Sequence, residues 1–154
     1  MLHFKLVLIL TLALAASAPA SALTFDSIQR GVDLYNAGVE NAPGVVKTLL
    51  GDERIQVEIS RGNETPLMAG LETKNAFIVN MTKGEIEDPT IVMDAEEEAI
   101  TRIFQSDDPV TAFEEAKDKG EISVRGTTFT SKLKVSAALA STPALRFFAD
   151  LIGK

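Results

Sequence analysis

Arg54-Ile55-Gln56-Val57-Glu58-Ile59-Ser60 is the stretch on which the fold turns. Ile55, Val57 and Ile59 occupy every second position, with polar groups between them. Side chains alternate across a strand, so this spacing puts three aliphatic groups on one face and predicts a half-buried strand. Downstream, Gly62-Asn63 supplies a turn, and Leu67-Met68-Ala69-Gly70-Leu71 can return antiparallel to it. Lys74-Asn75 makes the next reversal. Ala76 to Met81 reads as a third strand, with Phe77, Val79 and Met81 inward and Ile78, Asn80 and Thr82 outward. Lys83-Gly84-Glu85 turns again, and Pro89 precedes a fourth strand, Thr90 to Met93.

Beyond this block the period lengthens to that of a helix. Asp94 ends the fourth strand and is expected to cap a helix, with Glu97 three residues on as in a capping box. Ile100, Ile103 and Phe104 form that helix's apolar face. Ser106-Asp107-Asp108-Pro109 opens another helix, carrying Val110 and Phe113 and stopped by Gly120. Glu121-Ile122-Ser123-Val124-Arg125 alternates as a fifth strand, closed by Gly126. Phe129 to Ala140 reads as a helix, and Pro143 to Ile152 as a last, distinctly apolar one. Upstream, Asp26 or Ser27 can cap a helix through Ile28, Val32, Leu34 and Tyr35, weakened by Gly31 and Gly38. Pro43 then suits the first turn of a short helix bearing Val45, Val46, Leu49 and Leu50, ended by Gly51. Neither an internal repeat nor a linker-like stretch interrupts the pattern, which is that of one domain.

The first 22 residues read differently. Met1-Leu2-His3-Phe4-Lys5 is a short segment with one positive charge, Leu6 to Ala16 is an apolar run with Thr11 as its one polar residue, and Ala20-Ser21-Ala22 has the small-x-small form of a peptidase site. The run is roughly half the length a membrane span needs. Residues 1–22 are therefore expected to be a signal peptide cut before Leu23, giving an exported protein (secreted, periplasmic or cell-surface). The remaining domain, residues 23–154, keeps 132 of the 154 residues, enough for one core. No cysteine is present, so neither a disulfide nor a lipidated cysteine at the cut is available.

Composition then removes most chemistry. The net charge is −7, and loss of Lys5 with the leader makes it −8. That sign disfavours nucleic acid and strong electrostatic binding to anionic membranes. The only histidine, His3, leaves with the leader, and tryptophan is absent. Ser-His-Asp and Cys-His catalysis and the usual zinc or copper ligands go with it. The acids from Glu85 to Glu98 lack the D-x-D-x-D-G spacing of a calcium loop, and capping explains Asp94 to Glu98. Ser131 and Lys132 are neighbours, which places them on different helix faces rather than as a Ser-Lys pair. A carboxylate-only glycosidase has no two acids singled out for it. No metal, no cofactor and no enzymatic activity are expected.

Asp88-Pro89-Thr90-Ile91-Val92-Met93-Asp94, the helix with Ile100, Ile103 and Phe104, and Gly120-Glu121-Ile122-Ser123-Val124-Arg125-Gly126 together resemble the sterol-carrier-protein-2 (SCP-2) family. In that family a strand runs into an acidic-capped helix, a second helix follows, and then a strand of the form G-x-I-x-V-x-G. The likeness covers roughly Val45 to Ala140. It implies an α+β fold, a five-stranded, mostly antiparallel sheet with helices packed on one face, enclosing an apolar tunnel for a fatty acyl, isoprenoid or sterol-like ligand. It implies carriage rather than catalysis. Most members act inside cells, whereas this chain is expected to be exported, and its last residues, Ile152-Gly153-Lys154, do not match the peroxisomal tail signal that some members have.

The candidate pocket residues are Ile100, Ile103, Phe104, Phe113, Leu133, Leu139, Leu145, Phe147 and Phe148. Each can line a pocket or simply fill the core. Leu145, Phe147, Phe148, Leu151 and Ile152, joined through Ser141-Thr142-Pro143, are a candidate lid over a ligand opening. A structural or partner-binding domain with a filled interior is the rival reading. Asn63-Glu64-Thr65 and Asn80-Met81-Thr82 match the N-glycosylation acceptor pattern, and export would make their use feasible.

Overall fold

Ile55, Val57 and Ile59 are buried, as their alternation requires, in β1 (Arg54–Arg61), the central strand of the sheet. The computed structural model describes residues 23–152. β1 pairs antiparallel with β2 (Glu64–Lys74), and β2 with β3 (Phe77–Lys83). On the other side β1 pairs parallel with β4 (Ile91–Glu96), which pairs antiparallel with β5 (Ile122–Gly126). The spatial order is β3-β2-β1-β4-β5. The fold is thus α+β, with three antiparallel pairs and one parallel pair, in line with the mostly antiparallel sheet expected.

The parallel pair has a topological cause. Two strands lie between β3 and β4, so the segment 84–90 must cross both of them to reach its place. It does so over the face of β2 and β1 that carries Gln56 and Gly70, opposite Ile55 and Leu71. The amide nitrogen of Gln56 donates to the Gly84 carbonyl at 3.2 Å, and its oxygen accepts from the Ile86 N–H at 2.8 Å. Gln56 is buried in consequence. Strict alternation had promised a wet second face; the crossover covers half of it.

β3 departs from the expected phase. Ile78 is buried, while Phe77 is 37% and Val79 59% exposed. Thr73 faces Ile78 but Glu72 faces Asn80, so Val79 is the extra residue of a bulge. A bulge shifts the alternation by one position, which turns Ile78 inward and leaves only Met81 of the expected set on that side. The turn before it holds Asn75 and Ala76 at φ 50° and 69°. Its geometry is braced by the buried Tyr35, whose hydroxyl donates to the Ala76 carbonyl at 2.7 Å. Burial pushes that phenol well above its ordinary range.

Among the described residues six helices accompany the sheet: α1 (Phe25–Gly38), α2 (Gly44–Leu49), α3 (Glu97–Gln105), α4 (Pro109–Asp118), α5 (Phe129–Leu139) and α6 (Thr142–Ile152). A single 3-10 turn, Val39–Asn41, follows α1. α1 is capped by Thr24, with Ser27 returning the bond, and not by Asp26 or Ser27 at the cap position. Asp108 caps α4 ahead of Pro109, as expected, and the Thr111 hydroxyl and amide hold its carboxyl below the usual range. α3 differs. β4 continues through Glu96 because Ser60 pairs with Glu96 and Ala95 with Ile122. Asp94 therefore stays in the strand, where it accepts from Arg125 at 2.6 Å, and α3 starts without a side-chain cap. One core unites Ile28, Val32 and Tyr35 of α1, Val46 and Leu49 of α2, Ile100 and Ile103 of α3 and Phe113 of α4 with the inner sheet face.

Candidate apolar site

The inner face of β1 and β4 (Ile55, Val57, Ile59, Ile91, Met93, Ala95) forms a continuous aliphatic floor. α3 lies across these two strands and α4 packs on α3. The spacing Ala99, Ile100, Ile103 turns three buried groups toward the floor, and Phe113 and Ala116 do the same from α4. Ile100, Ile103 and Phe113 are 1%, 0% and 0% exposed, so all three belong to the core itself. Phe104, Val110 and Phe147 are only half-buried against its margin. Of the sequence-derived set, Ile100, Ile103 and Phe113 thus lie in a sealed interior, and Phe104 and Phe147 at a half-buried aromatic edge.

Leu133 belongs to neither group, which corrects its placement in the pocket. It is 57% exposed. α5 turns Ser131, Val135 and Ala138 inward, a 4–3 spacing that leaves Leu133 on the outer face with Phe129, which is 77% exposed. The reason lies in β5: Gly126 lets the backbone of α5 approach so closely that a Cβ there would overlap Ser131 and Lys132. Small inward residues are what such a crossing admits. The side chains of Leu139, Leu145 and Phe148 lie outside the described residues, as does that of Ile152.

α6 runs over α1 and α4. Ala144 and Leu151 are buried, and Phe147 is half-covered. The crossing point is Gly38, where an added Cβ would stand 2.9 Å from Leu151 and 3.8 Å from the Phe147 ring. In the sequence this glycine reads only as a weak point in α1; the close approach of α6 gives it a purpose that no local signal announces. α6 is seated by these contacts, so it closes the helix layer at the edge where Phe147 stands.

Polar groups around the core are committed elsewhere. Glu53, 6% exposed, accepts from Lys134 at 2.7 Å and from the Thr90 hydroxyl at 2.5 Å, tying α5 to the starts of β1 and β4. Lys134 is thus held by Glu53, while the Ser131 hydroxyl bonds within the Thr128 capping box. Arg102 pairs with Glu121 at the surface. Among the described residues no three His, Cys, Asp or Glu side chains gather as metal ligands, and no helix is long and apolar enough to cross a membrane. Asn63, in the β1–β2 turn, and Asn80, on β3, are both exposed.

No protein-family profile and no curated protein matches the chain. Solved structures do. A conserved hypothetical protein of Thermus thermophilus, a candidate sterol carrier protein, superposes with a TM-score of 0.52 at 11% identity, covering 88% of this chain and 92% of its own. The sterol carrier protein domain 2 of Helicoverpa armigera gives a TM-score of 0.51 at 13% identity, covering 90% and 94%. At such identities the likeness is one of overall fold. The chain has the fold of a sterol carrier protein 2 domain.

Proposed function

We propose that this protein binds and carries an apolar, lipid-like ligand, without chemistry, outside the cytoplasm. The observation that carries the reading is the helix layer closed by α6: an SCP-2 fold whose aliphatic floor is overlaid by helices with half-buried aromatic groups, Phe104 and Phe147, at the margin. Acyl, isoprenoid and sterol-like chains share the surface such a lining accepts, dispersion contacts without directional polar groups. The absence of histidine and cysteine from residues 23–154 supports carriage over catalysis. The leader-like residues 1–22 support export.

The test is uptake. Protein purified without detergent and stripped of lipid is titrated with a fluorescent fatty acid, and native mass spectrometry counts the bound chains. Saturable binding of one chain is expected, and Phe147→Asp should weaken it about tenfold or more, since a carboxylate then faces the apolar edge. Absence of saturable uptake by the parent overturns the reading. One observation favours a second function, docking of a partner: Phe129 and Leu133 stand one helical turn apart on α5, 77% and 57% exposed.

A further inference from the structure

Leu23 is the residue that the expected cut would place first, and the fold already holds it. Its side chain is 3% exposed and belongs to the core. Thr24, next in line, is fixed as the cap of α1 by reciprocal bonds with Ser27. Between these anchors, the backbone nitrogen of Leu23 donates to Glu97 Oε1 at 2.6 Å, across 74 positions of sequence. Glu97 lies in the first turn of α3 between Glu96 and Glu98. The three line a cleft of about 470 Å³ with Ser60, Arg61 and Gly62. A peptide nitrogen brings one N–H and no charge to this carboxylate; a free amine would bring an ammonium with three.

We propose that Glu97 is the receptor for the chain's own new N-terminus, so that processing turns the Leu23–Glu97 hydrogen bond into an ion pair locking α1 to α3. The inference rests on the export reading. Hydrolysis of the Ala22–Leu23 amide by a leader peptidase consumes one water, leaves a carboxylate on Ala22, and frees an amine on Leu23 that protonates. The nitrogen need not travel. It is already within bonding distance, held from one side by the buried Leu23 side chain and from the other by the α1 cap, so little ordering entropy remains to be lost. Three adjacent carboxylates repel one another, and Arg61 is the cation among the cleft's lining residues. An ammonium relieves that repulsion, and it adds a direct opposite charge to a bond in which only the carboxylate was charged before. Processing would thus finish the fold as well as release the chain.

The experiment uses the processed protein from a secreting host. Edman sequencing reads its first residue, and thermal melts compare four forms: the free amine and its N-acetylated counterpart, each with Glu97 or with Glu97→Gln. Acetylation should lower Tm by about 4 °C in the parent and leave the Glu97→Gln protein nearly unmoved. The amine of the parent should also acetylate several-fold more slowly than that of Glu97→Gln, a readout independent of melting. A first residue other than Leu23 overturns the export-site reading and the pairing with it. A first residue of Leu23, with melting and acetylation rate indifferent to Glu97, overturns the pairing alone.

Discussion

The two faces of the sheet are closed by different means. On one, Ile55, Val57, Ile59, Leu71 and Met93 meet helices through buried apolar contacts, each 0–1% exposed. On the other, the crossover 84–90 covers only β2 and β1, held by Ile86 against Gly70 and by the amide of Gln56. Among the described residues no element covers the rest of that face, over β4 and β5, which carries the Asp94–Arg125 pair. A glycine marks the closest approach on each covered face: Gly126 under the backbone of α5, and Gly70 under the side chain of Ile86. The same residue type therefore supports two different mechanical situations. A helix anchored along its length cannot retreat from a single strand position, whereas a loop can.

Gly126→Ala should have the largest effect. The new methyl would overlap backbone atoms at Ser131 and Lys132, and those lie next to the capping box that starts α5. Overpacking of this kind costs about 1–3 kcal/mol, and more where backbone must move. We expect about 3 kcal/mol, read as a fall in the denaturant midpoint with unchanged slope. Gly70→Ala meets a side chain on the crossover instead. The overlap is with Ile86 Cγ2, while Ile86 Cβ would stand 3.1 Å away. About 2 kcal/mol is expected as the crossover shifts outward. Adding Ile86→Ala should recover part of the loss, giving a combined cost below the sum. Equal, additive costs at the two glycines would erase the distinction between the faces.

That distinction was only half legible in the sequence. The helix-covered face was plain, because period-two aliphatic spacing in β1 and period-3.6 spacing in α3 and α4 are local properties of the chain. What lay outside local pattern was missed. The crossover's path follows from strand order, which alternation does not encode, so Gln56 read as a wet residue. Val79 became an extra residue in a bulge, and nothing in Ala76–Met81 marks which residue a bulge will take. Asp94 looked like a cap because Glu97 follows at the right spacing, yet pairing with β1 and β5 prolonged the strand past it. For the site, Ile100, Ile103 and Phe113 were found as apolar positions, but the face that Leu133 takes depended on Gly126 in another element. Close approach is a property of pairs, and a single chain position shows one member only.

Gln56 sharpens the comparison within the crossover. Its amide nitrogen donates to the carbonyls of Ala69 and Gly84 at 3.3 and 3.2 Å, and its oxygen takes the Ile86 N–H at 2.8 Å. Gln56→Ala removes the partners of a strand and a crossover at once, and an unpartnered buried group costs about 1–3 kcal/mol. We expect about 1.5 kcal/mol, less than either glycine substitution, since water can reach a loosened crossover and satisfy its amides. Hydrogen exchange is the discriminating measurement. Protection should fall at Ile86 while the amides of β4 and β5 keep theirs; loss of protection across the sheet would mean that Gln56 stabilises the whole fold and not the crossover alone.

The smallest effect belongs to the open half of the second face. Arg125 Nη1 and Asp94 Oδ2 are 2.6 Å apart, but their side chains are 61% and 41% exposed. At that exposure water solvates both charges almost as well apart as together, and holding two long side chains costs rotamer entropy. Arg125→Ala should therefore lower stability by about 0.5 kcal/mol or less, and by still less in 1 M salt, where screening acts over about 3 Å. Ser123, whose hydroxyl donates to the same Asp94 oxygen at 3.3 Å, leaves that carboxylate a partner after the change. The informative comparison is with Lys134→Met on the helix side, where Glu53 is 6% exposed and would be left buried with Thr90 as its remaining side-chain partner. A buried charge that loses its counterion is far costlier than an exposed one. If the two substitutions proved equally mild, the helix-covered face would be wetter at its edge than the burial of Glu53 indicates, and the contrast between the faces would fail at the polar groups even where it held at the glycines.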